Sequence, residues 1–387
     1  MQPTALAKSR APRLMPVPLG GARFRAGPND EEVTNSSLLS GRSFRMPSVA
    51  DDVIELPPSV RLHQLMAGHW VSQAIYVAAK LRIADHLAQA PQTVAALAGA
   101  VDAHPQALHR LLRALASLGL FTEVAPEQYA LTPVGHFLQS GVPGSLRALA
   151  LTVTEFDWQP WGQMLHSVQT GEPAFLRVHG DHAFAYLGKH PDTGRMFNDA
   201  MIDFVSQNIR AVVAAYDFTR LSKIVDVGGG HGALMAALLE ANPSTRGVIL
   251  DLPAVIEGTA RELAARGLSD RCTCVAGDFF EGVPEGGDAY LLASIIHDWN
   301  DQAGAAILRS CRKAMPDRAR LLLVEMVIPP GDEPFFGKLL DLEMLVCFGG
   351  RERTEVEYRE LLGASGFELV RIIQTQAPAS ILEARPA

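Results

Sequence analysis

Two stretches of this chain carry residue types that could do chemistry together. Tyr290 to Ile296 is an apolar run, and His297 and Asp298 follow at its end, in LLASIIHDWND. Upstream, Lys223 to Gly232 reads KIVDVGGGHG, an apolar run that ends in the acid Asp226 and breaks into glycines. Glycines tolerate positive φ and let a backbone approach a ligand, so Gly228 and Gly230 suit a nucleoside-cofactor loop. A histidine titrates near neutral pH and can take a proton from a substrate. The pair points to an enzyme that activates a hydroxyl beside a bound adenosyl group.

Both stretches sit in a segment where strand and helix patterns alternate from Leu221 onward. The expected strands are Lys223–Val227, Gly247–Asp251, Cys272–Ala276, Asp288–Ala293, Arg320–Glu325, Phe367–Thr375 and Ser380–Ala384. This pattern predicts a doubly wound α/β sheet with ligands at the carboxyl ends of its strands. Only Gln376 to Ala379 separate the last two strands. They therefore form a hairpin, and one must run antiparallel to an otherwise parallel sheet.

The region before the sheet is mainly helical. From Pro58, the residues Leu62, Leu65, Met66, His69 and Trp70 fall on one helix face. Thr93 can cap a helix, Asp102 to Pro105 make a turn with proline at a helix start, and Gly119 ends the next helix. Two short strand-like runs follow, which gives a helix-turn-helix with a wing. Such a shape can read DNA, with His109, Arg110 and Arg113 facing the groove. The alternative is a packing module, and apolar Leu62, Leu65, Trp70 and Ile75 suit a dimer interface. Residues 146 to about 215 are helical again. Phe156, Trp158 and Trp161 group together, and Phe197, Met201 and Phe204 share one helix face.

Bulk properties narrow the class. The chain has 387 residues, which suits two domains, and a net charge of −8, which disfavours a nucleic-acid partner. No apolar run reaches the ~18 residues of a membrane span. Its four cysteines lack the paired spacing of a zinc site, and no metal is expected. No disulfide framework is implied, which fits a cytoplasmic protein. Residues 1 to 55 show no period and are rich in Pro, Gly, Ser and Arg, so a disordered tail is expected. A targeting presequence is the alternative, although Pro12, Pro16 and Pro18 would interrupt its helix.

GGGHGA also fits the dinucleotide pattern G-x-G-x-x-G/A, and Asp251 could accept from ribose hydroxyls with either cofactor. Three features favour adenosylmethionine. Asp226 is poorly placed beside a pyrophosphate and well suited to a cationic amino-acid moiety. Gly277-Asp278-Phe279-Phe280 offers an acid for an adenine amino group and an aromatic wall for its face. The C-terminal hairpin suits a methyltransferase sheet better than a dehydrogenase sheet.

The motifs DVGGGHG, LDLP, GDFF, HDWND, VEMVIP and GGRERT, in this order, resemble the small-molecule O-methyltransferases related to caffeate and hydroxyindole O-methyltransferases. The bacterial polyketide-tailoring branch is the nearest in character. WGQMLHSVQTGEPAF and FNDAM belong to the likeness, which runs from about Leu62 to Ala384. It implies a class I methyltransferase fold preceded by a winged-helix-like dimerisation domain, and a homodimer. The expected divisions are 1–55 tail, 56–145 dimerisation, 146–219 helical connector with pocket residues, and 220–387 cofactor-binding domain.

The resemblance also implies roles. S-adenosylmethionine would be the methyl donor and S-adenosylhomocysteine a product, with a small aromatic acceptor. His297 would be the base, flanked by Asp298, Glu325 and Glu352. A carboxylate on its distal nitrogen would fix the tautomer and stabilise the imidazolium, for which Glu325 and Glu352 are favoured. Asp298 could instead cap the following helix. Gly228, Asp251, Leu252, Asp278, Phe279 and Ser294 would contact the cofactor, and Trp161, Phe197 and Met201 would close over it. Plant relatives place a lysine where Ala293 stands, so that contact is absent or moved to Ser294. Phe156, Trp158, Phe204, Met344 and Phe348 would line the acceptor pocket, the last two lying four apart on an expected helix. Some relatives keep the fold and perform decarboxylation, hydroxylation or pericyclic chemistry, which stays as the alternative.

Overall fold

The computed structural model describes residues 56–387. The tail expected over residues 1–55 lies outside the described residues.

The N-terminal part is helical around a small sheet. Helices Pro58–Met66 and Gly68–Lys80 are separate, with a break at Ala67 where one continuous pattern was expected. No residue of the first is buried. Strand β1 (Gln92–Thr93) leads into helix Val94–Ala100, whose first turn is capped by the Thr93 hydroxyl accepting from Ala96 N–H. Pro105 opens the helix Pro105–Ser117, which buries Leu108, Leu112 and Leu115 along one face. Strands β2 (Phe121–Ala125) and β3 (Gln128–Leu131) then form an antiparallel hairpin, and β3 also pairs with β1.

Six further helices occupy the region between this sheet and the next, ending in the long Pro191–Ala215. That helix packs against Arg147–Glu155, and Arg147–Glu155 in turn packs against Gly68–Lys80.

The main sheet has seven strands. They are β4 (Lys223–Val227), β5 (Arg246–Asp251), β6 (Cys272–Ala276), β7 (Ala289–Ala293), β8 (Arg320–Glu325), β11 (Phe367–Gln374) and β12 (Ser380–Pro386), with the two-residue strands β9 (Val327–Ile328) and β10 (Arg353–Thr354) lying between β8 and β11 in sequence. The spatial order is β11-β12-β8-β7-β4-β5-β6. The order reverses beside β4, where ligands bind in such sheets. Strand β12 is antiparallel to both β11 and β8, as the short hairpin connection required.

Alternation along each strand builds a core on both faces. Val225, Val227, Leu250, Leu292 and Leu323 pack on one side, and Ile224, Ile249, Leu291, Leu322 and Ile381 on the other. Near-continuous apolar strands are the expected result of burial on both faces.

The short parallel pair β9–β10 was not foreseen, and it matters for the site. It ties Arg353 to Val327, just beyond the end of β8. The segment carrying Glu352 is thereby held beside the strand that ends in Glu325.

Candidate active site

Four carbonyl-end features of the sheet converge. Strand β4 runs into the glycine turn, and β5 ends in Asp251. Strand β7 ends at Ala293, and β8 ends in Glu325.

The glycine turn is tight. Gly228 and Gly230 take left-handed φ values of 74° and 55°. A Cβ at Gly228 would stand 2.6 Å from Ile295 Cδ1, and one at Gly229 would stand 2.6 Å from Asp226 Oδ2. Asp226 therefore lies beneath the turn, 2% exposed. Its Oδ1 has no hydrogen-bond partner among the described residues. Burial, with the nearby Asp251 charge, pushes its carboxyl up to about 7. Asp251 accepts from Gly230 N–H at 2.8 Å and from Leu252 N–H at 2.7 Å. The side chain of Leu252 is exposed beside it. Asp278 accepts from Phe280 N–H at 2.8 Å, and Phe279 lies against the Gly228 position.

A buried carboxylate with an unmatched oxygen, beneath a turn whose Gly230 has open space where a side chain would stand, fits a group that is cationic at one end. S-adenosylmethionine carries an ammonium and a sulfonium, so the residues present fit it.

Between β7 and the histidine, Ser294 takes φ 54°, a left-handed conformation that is strained for a non-glycine residue. The chain then makes a short 3₁₀ turn, Ile296–Asp298. His297 is 8% exposed. Its Nδ1 lies 2.7 Å from Glu352 Oε1 and 3.8 Å from Glu325 Oε2. Its Nε2 makes no hydrogen bond among the described residues and lies 3.5 Å from Asp298 Oδ1. Burial alone would lower the imidazole pKa. Glu325, Asp298 and Glu352 outweigh it and bring the group up to about 10. Burial raises Asp298 to about 6 and raises Glu325 as well, each opposed by the His297 charge.

The two glutamates do different things. Glu325 Oε1 accepts from Ile295 N–H at 3.2 Å and Ile296 N–H at 2.9 Å, which holds the turn backbone. Glu352 alone is within hydrogen-bond reach of the ring. The alternative placing of Asp298 as a helix cap is corrected: the Asn300 side chain caps helix Asp301–Ala314 by accepting from Ala303 N–H. Asn300 has the same short polar acceptor and sits directly before the first helical residue, where a cap must be.

His297, Glu325 and Glu352 place ligand-type atoms within 4.8 Å of one another. Nδ1 is committed to Glu352, which needs a proton between them, so the set reads as a hydrogen-bonded cluster rather than metal ligands.

Aromatic rings run from this turn into the helical region. Phe279 and Phe280 meet Trp299, whose ring stacks with Phe184 at 6.0 Å, and Phe184 meets Phe348 at 5.4 Å. Phe348 lies 6.3 Å from Phe156 and 6.0 Å from Phe197. Met201 packs into the same group. Phe156 and Phe197 are buried within it, so they wall it from behind. Phe204 lies farther along the same helix, Pro191–Ala215. Trp158 and Trp161 are partly exposed. The Trp161 indole N–H donates to Glu343. Met344 and Phe348 do share an element, but it is a π-helical turn, Met344–Phe348. Such turns often mark functional sites.

Phe184, Trp299 and Arg353 were not singled out in the sequence. Trp299 lies inside the HDWND motif and Arg353 inside GGRERT, which was the available signal. Phe184 had none.

A mostly parallel sheet with an antiparallel hairpin strand at one side, a glycine turn at the reversal of strand order and a buried acid under it define a Rossmann-like methyltransferase. The chain matches an O-methyltransferase domain over residues 161–368 and an O-methyltransferase dimerisation domain over residues 63–141. It belongs to the S-adenosylmethionine-dependent O-methyltransferase family. It is 46% identical to a phenazine O-methyltransferase of Lysobacter antibioticus, over 86% of this chain and 97% of that one. It is 37% identical to an O-demethylpuromycin O-methyltransferase of Streptomyces alboniger, over 94% of this chain and 98% of that one. Among solved structures it is similar to an O-methyltransferase from neocarzinostatin biosynthesis in complex with S-adenosylmethionine and 2-hydroxy-5-methyl naphthoic acid. That match has a TM-score of 0.72 and 34% identity, covering 82% of this chain and 96% of that one.

Proposed function

We propose that this protein methylates a phenolic hydroxyl of an aromatic secondary metabolite, with His297 as the general base. The observation that carries it is the His297–Glu352 pair. Nδ1 is committed to a carboxylate, and Nε2 has no hydrogen bond to any described residue. Glu352 fixes the tautomer in which Nε2 is the basic nitrogen and stabilises the imidazolium as the proton arrives. Glu325 holds the turn, and its unpartnered Oε2 adds negative potential near Nδ1.

S-adenosylmethionine supplies a methyl group already activated on a sulfonium. Asp226, Gly228, Gly230, Asp251, Leu252, Asp278, Phe279 and Ser294 would hold it, with Phe197 and Met201 behind the site. A phenol has a pKa of about 10, so little phenolate forms unaided at neutral pH. His297 removes that proton, which contributes on the order of 10²–10⁴-fold. An imidazole held near pKa 10 keeps its own proton at pH 7. His297 gives it up more readily once a cation occupies the adjacent site, because like charge disfavours the imidazolium.

Phe348, Trp299 and Phe184 suit a flat, mostly apolar acceptor, and the phenazine and naphthoic acid named for similar proteins are of that kind. Trp158, Met344 and Phe204 would complete the acceptor pocket. A methyl-transfer assay on hydroxylated phenazines, naphthoates and flavonoids, read by mass spectrometry, tests the reading. Tight cofactor binding with no methylated product from any acceptor would transfer the reading to a non-methylating relative.

The N-terminal region supports a homodimer. Leu62, Leu65, Met66 and Trp70 are all more than half exposed, a cluster that a partner subunit would cover. Light scattering on wild type and Leu65→Asp checks it: a dimer is expected to become a monomer. A cytoplasmic location is consistent with four free cysteines among the described residues. No described helix is long and apolar enough to cross a membrane.

A further inference from the structure

Arg353 is fully buried, at 0% exposure, and lies next to Glu352 in sequence. A guanidinium has five N–H donors, and all five are used. Nε and Nη2 donate to Asp301 Oδ1 at 3.0 and 2.8 Å. Nη2 also donates to Trp299 O at 2.8 Å. Nη1 donates to Ile296 O at 3.1 Å and to Arg351 O at 3.2 Å.

Ile296 and Trp299 bracket His297 and Asp298. Of the two carbonyls between them, His297 O accepts from Arg351 N–H at 2.8 Å. Gly350 lets the two segments approach, since a Cβ there would stand 2.0 Å from that carbonyl oxygen. The turn is therefore gripped on its carbonyl side by the 350–353 segment and on its amide side by Glu325. Within the gripping segment, side chains alternate: Glu352 reaches the imidazole and Arg353 reaches the backbone that carries it. A buried arginine with an exposed counter-ion is a weak device for stability alone, because desolvation offsets much of the attraction. A planar fork with fixed donor directions does suit holding two carbonyls in register.

We propose that Arg353 is a positioning residue, which locks the backbone of the His297 turn to the segment bearing Glu352 and so fixes where the base points. This rests on His297 being the base.

The test compares Arg353→Lys, which keeps the charge and loses the fork, and Asp301→Asn, which weakens the clamp from the solvent side. Each is made in the wild-type and His297→Ala backgrounds. Single-turnover methyl transfer is measured with saturating donor and acceptor, alongside donor affinity and a pH profile. A misplaced catalytic group costs about 10²-fold. Arg353→Lys is expected to lower the transfer rate by about that factor. Asp301→Asn should lower it several-fold, with donor affinity within about threefold for both. In the His297→Ala background, neither substitution should lower the rate further, because the group they position is gone. Equal losses in both backgrounds would overturn the positioning role and leave the base in place. So would wild-type rates in folded Arg353→Lys and Asp301→Asn. Full activity of His297→Ala itself would remove the base, and the proposal with it. Asp301→Asn alters an exposed carboxylate, so it keeps the test informative if Arg353→Lys does not fold.

Discussion

His297 Nδ1 sits 2.7 Å from Glu352 Oε1 and 3.8 Å from Glu325 Oε2, so a glutamate just before β10 and one at the end of β8 share one imidazole unequally. Glu352 is the ring's partner, and Glu325 is the partner of the turn backbone. The near-symmetric roles expected from the sequence thus separate into orientation and support.

Glu352→Gln should therefore act on the proton. It removes a charge that raises the imidazole pKa and offers an amide that no longer fixes one tautomer. The transfer rate is expected to fall by about 10²-fold or more. The rising limb of its pH profile should move to lower pH, since the imidazolium loses a stabilising carboxylate. A pH profile of kcat/KM for wild type and variant checks both the size and the sign.

Glu325→Ala should act on the fold. It strips an acceptor from Ile295 N–H and Ile296 N–H in the interior. Leaving buried donors unsatisfied costs about 1–3 kcal/mol. Thermal unfolding should show a lowered Tm, whereas Glu325→Gln, which keeps one acceptor oxygen, should stay close to wild type.

Gly228→Ala should act on the donor. The residue has φ 74°, and the added Cβ would press on Ile295, which precedes the His297 turn. Calorimetry with S-adenosylhomocysteine is expected to show affinity reduced at least about tenfold, alongside a stability loss of about 1–3 kcal/mol from backbone strain. Unchanged affinity would place the nucleoside elsewhere.

Phe348→Ala should act on the acceptor. The ring links Phe184 to Phe156 and Phe197. Its removal should raise acceptor KM by about 10-fold or more, in line with ring contacts worth about 0.5–1.5 kcal/mol plus lost buried area. Donor affinity should not change. Steady-state kinetics with each substrate varied separately makes the distinction.

Much of the cofactor sheet could be read from the sequence because its signals are local. Lys223–Val227, Cys272–Ala276 and Arg320–Glu325 are apolar runs that end at a glycine, an acid or a turn, and they form strands with those bounds. The hairpin followed from a connection too short for a crossover. What could not be read depends on pairing across distance. Nothing near Arg353 in the sequence says that β10 pairs with β9, so nothing says that this arginine is buried and the neighbouring Arg351 partly exposed. Phe184 is an ordinary helical phenylalanine until Trp299 comes against it. The π-turn at Met344–Phe348 differs from an α-turn by one residue of hydrogen-bond register, which side-chain periodicity over five residues does not resolve.

The most direct measurement follows methyl transfer by wild type and His297→Ala under saturating donor and acceptor from pH 6 to pH 10. If His297 is the base, the variant should be slower by about 10²–10⁴-fold near pH 7. The gap should narrow as pH approaches the acceptor's own pKa of about 10, where phenolate forms without help. A variant as fast as wild type at pH 7, or a gap that stays constant across the range, would contradict the account.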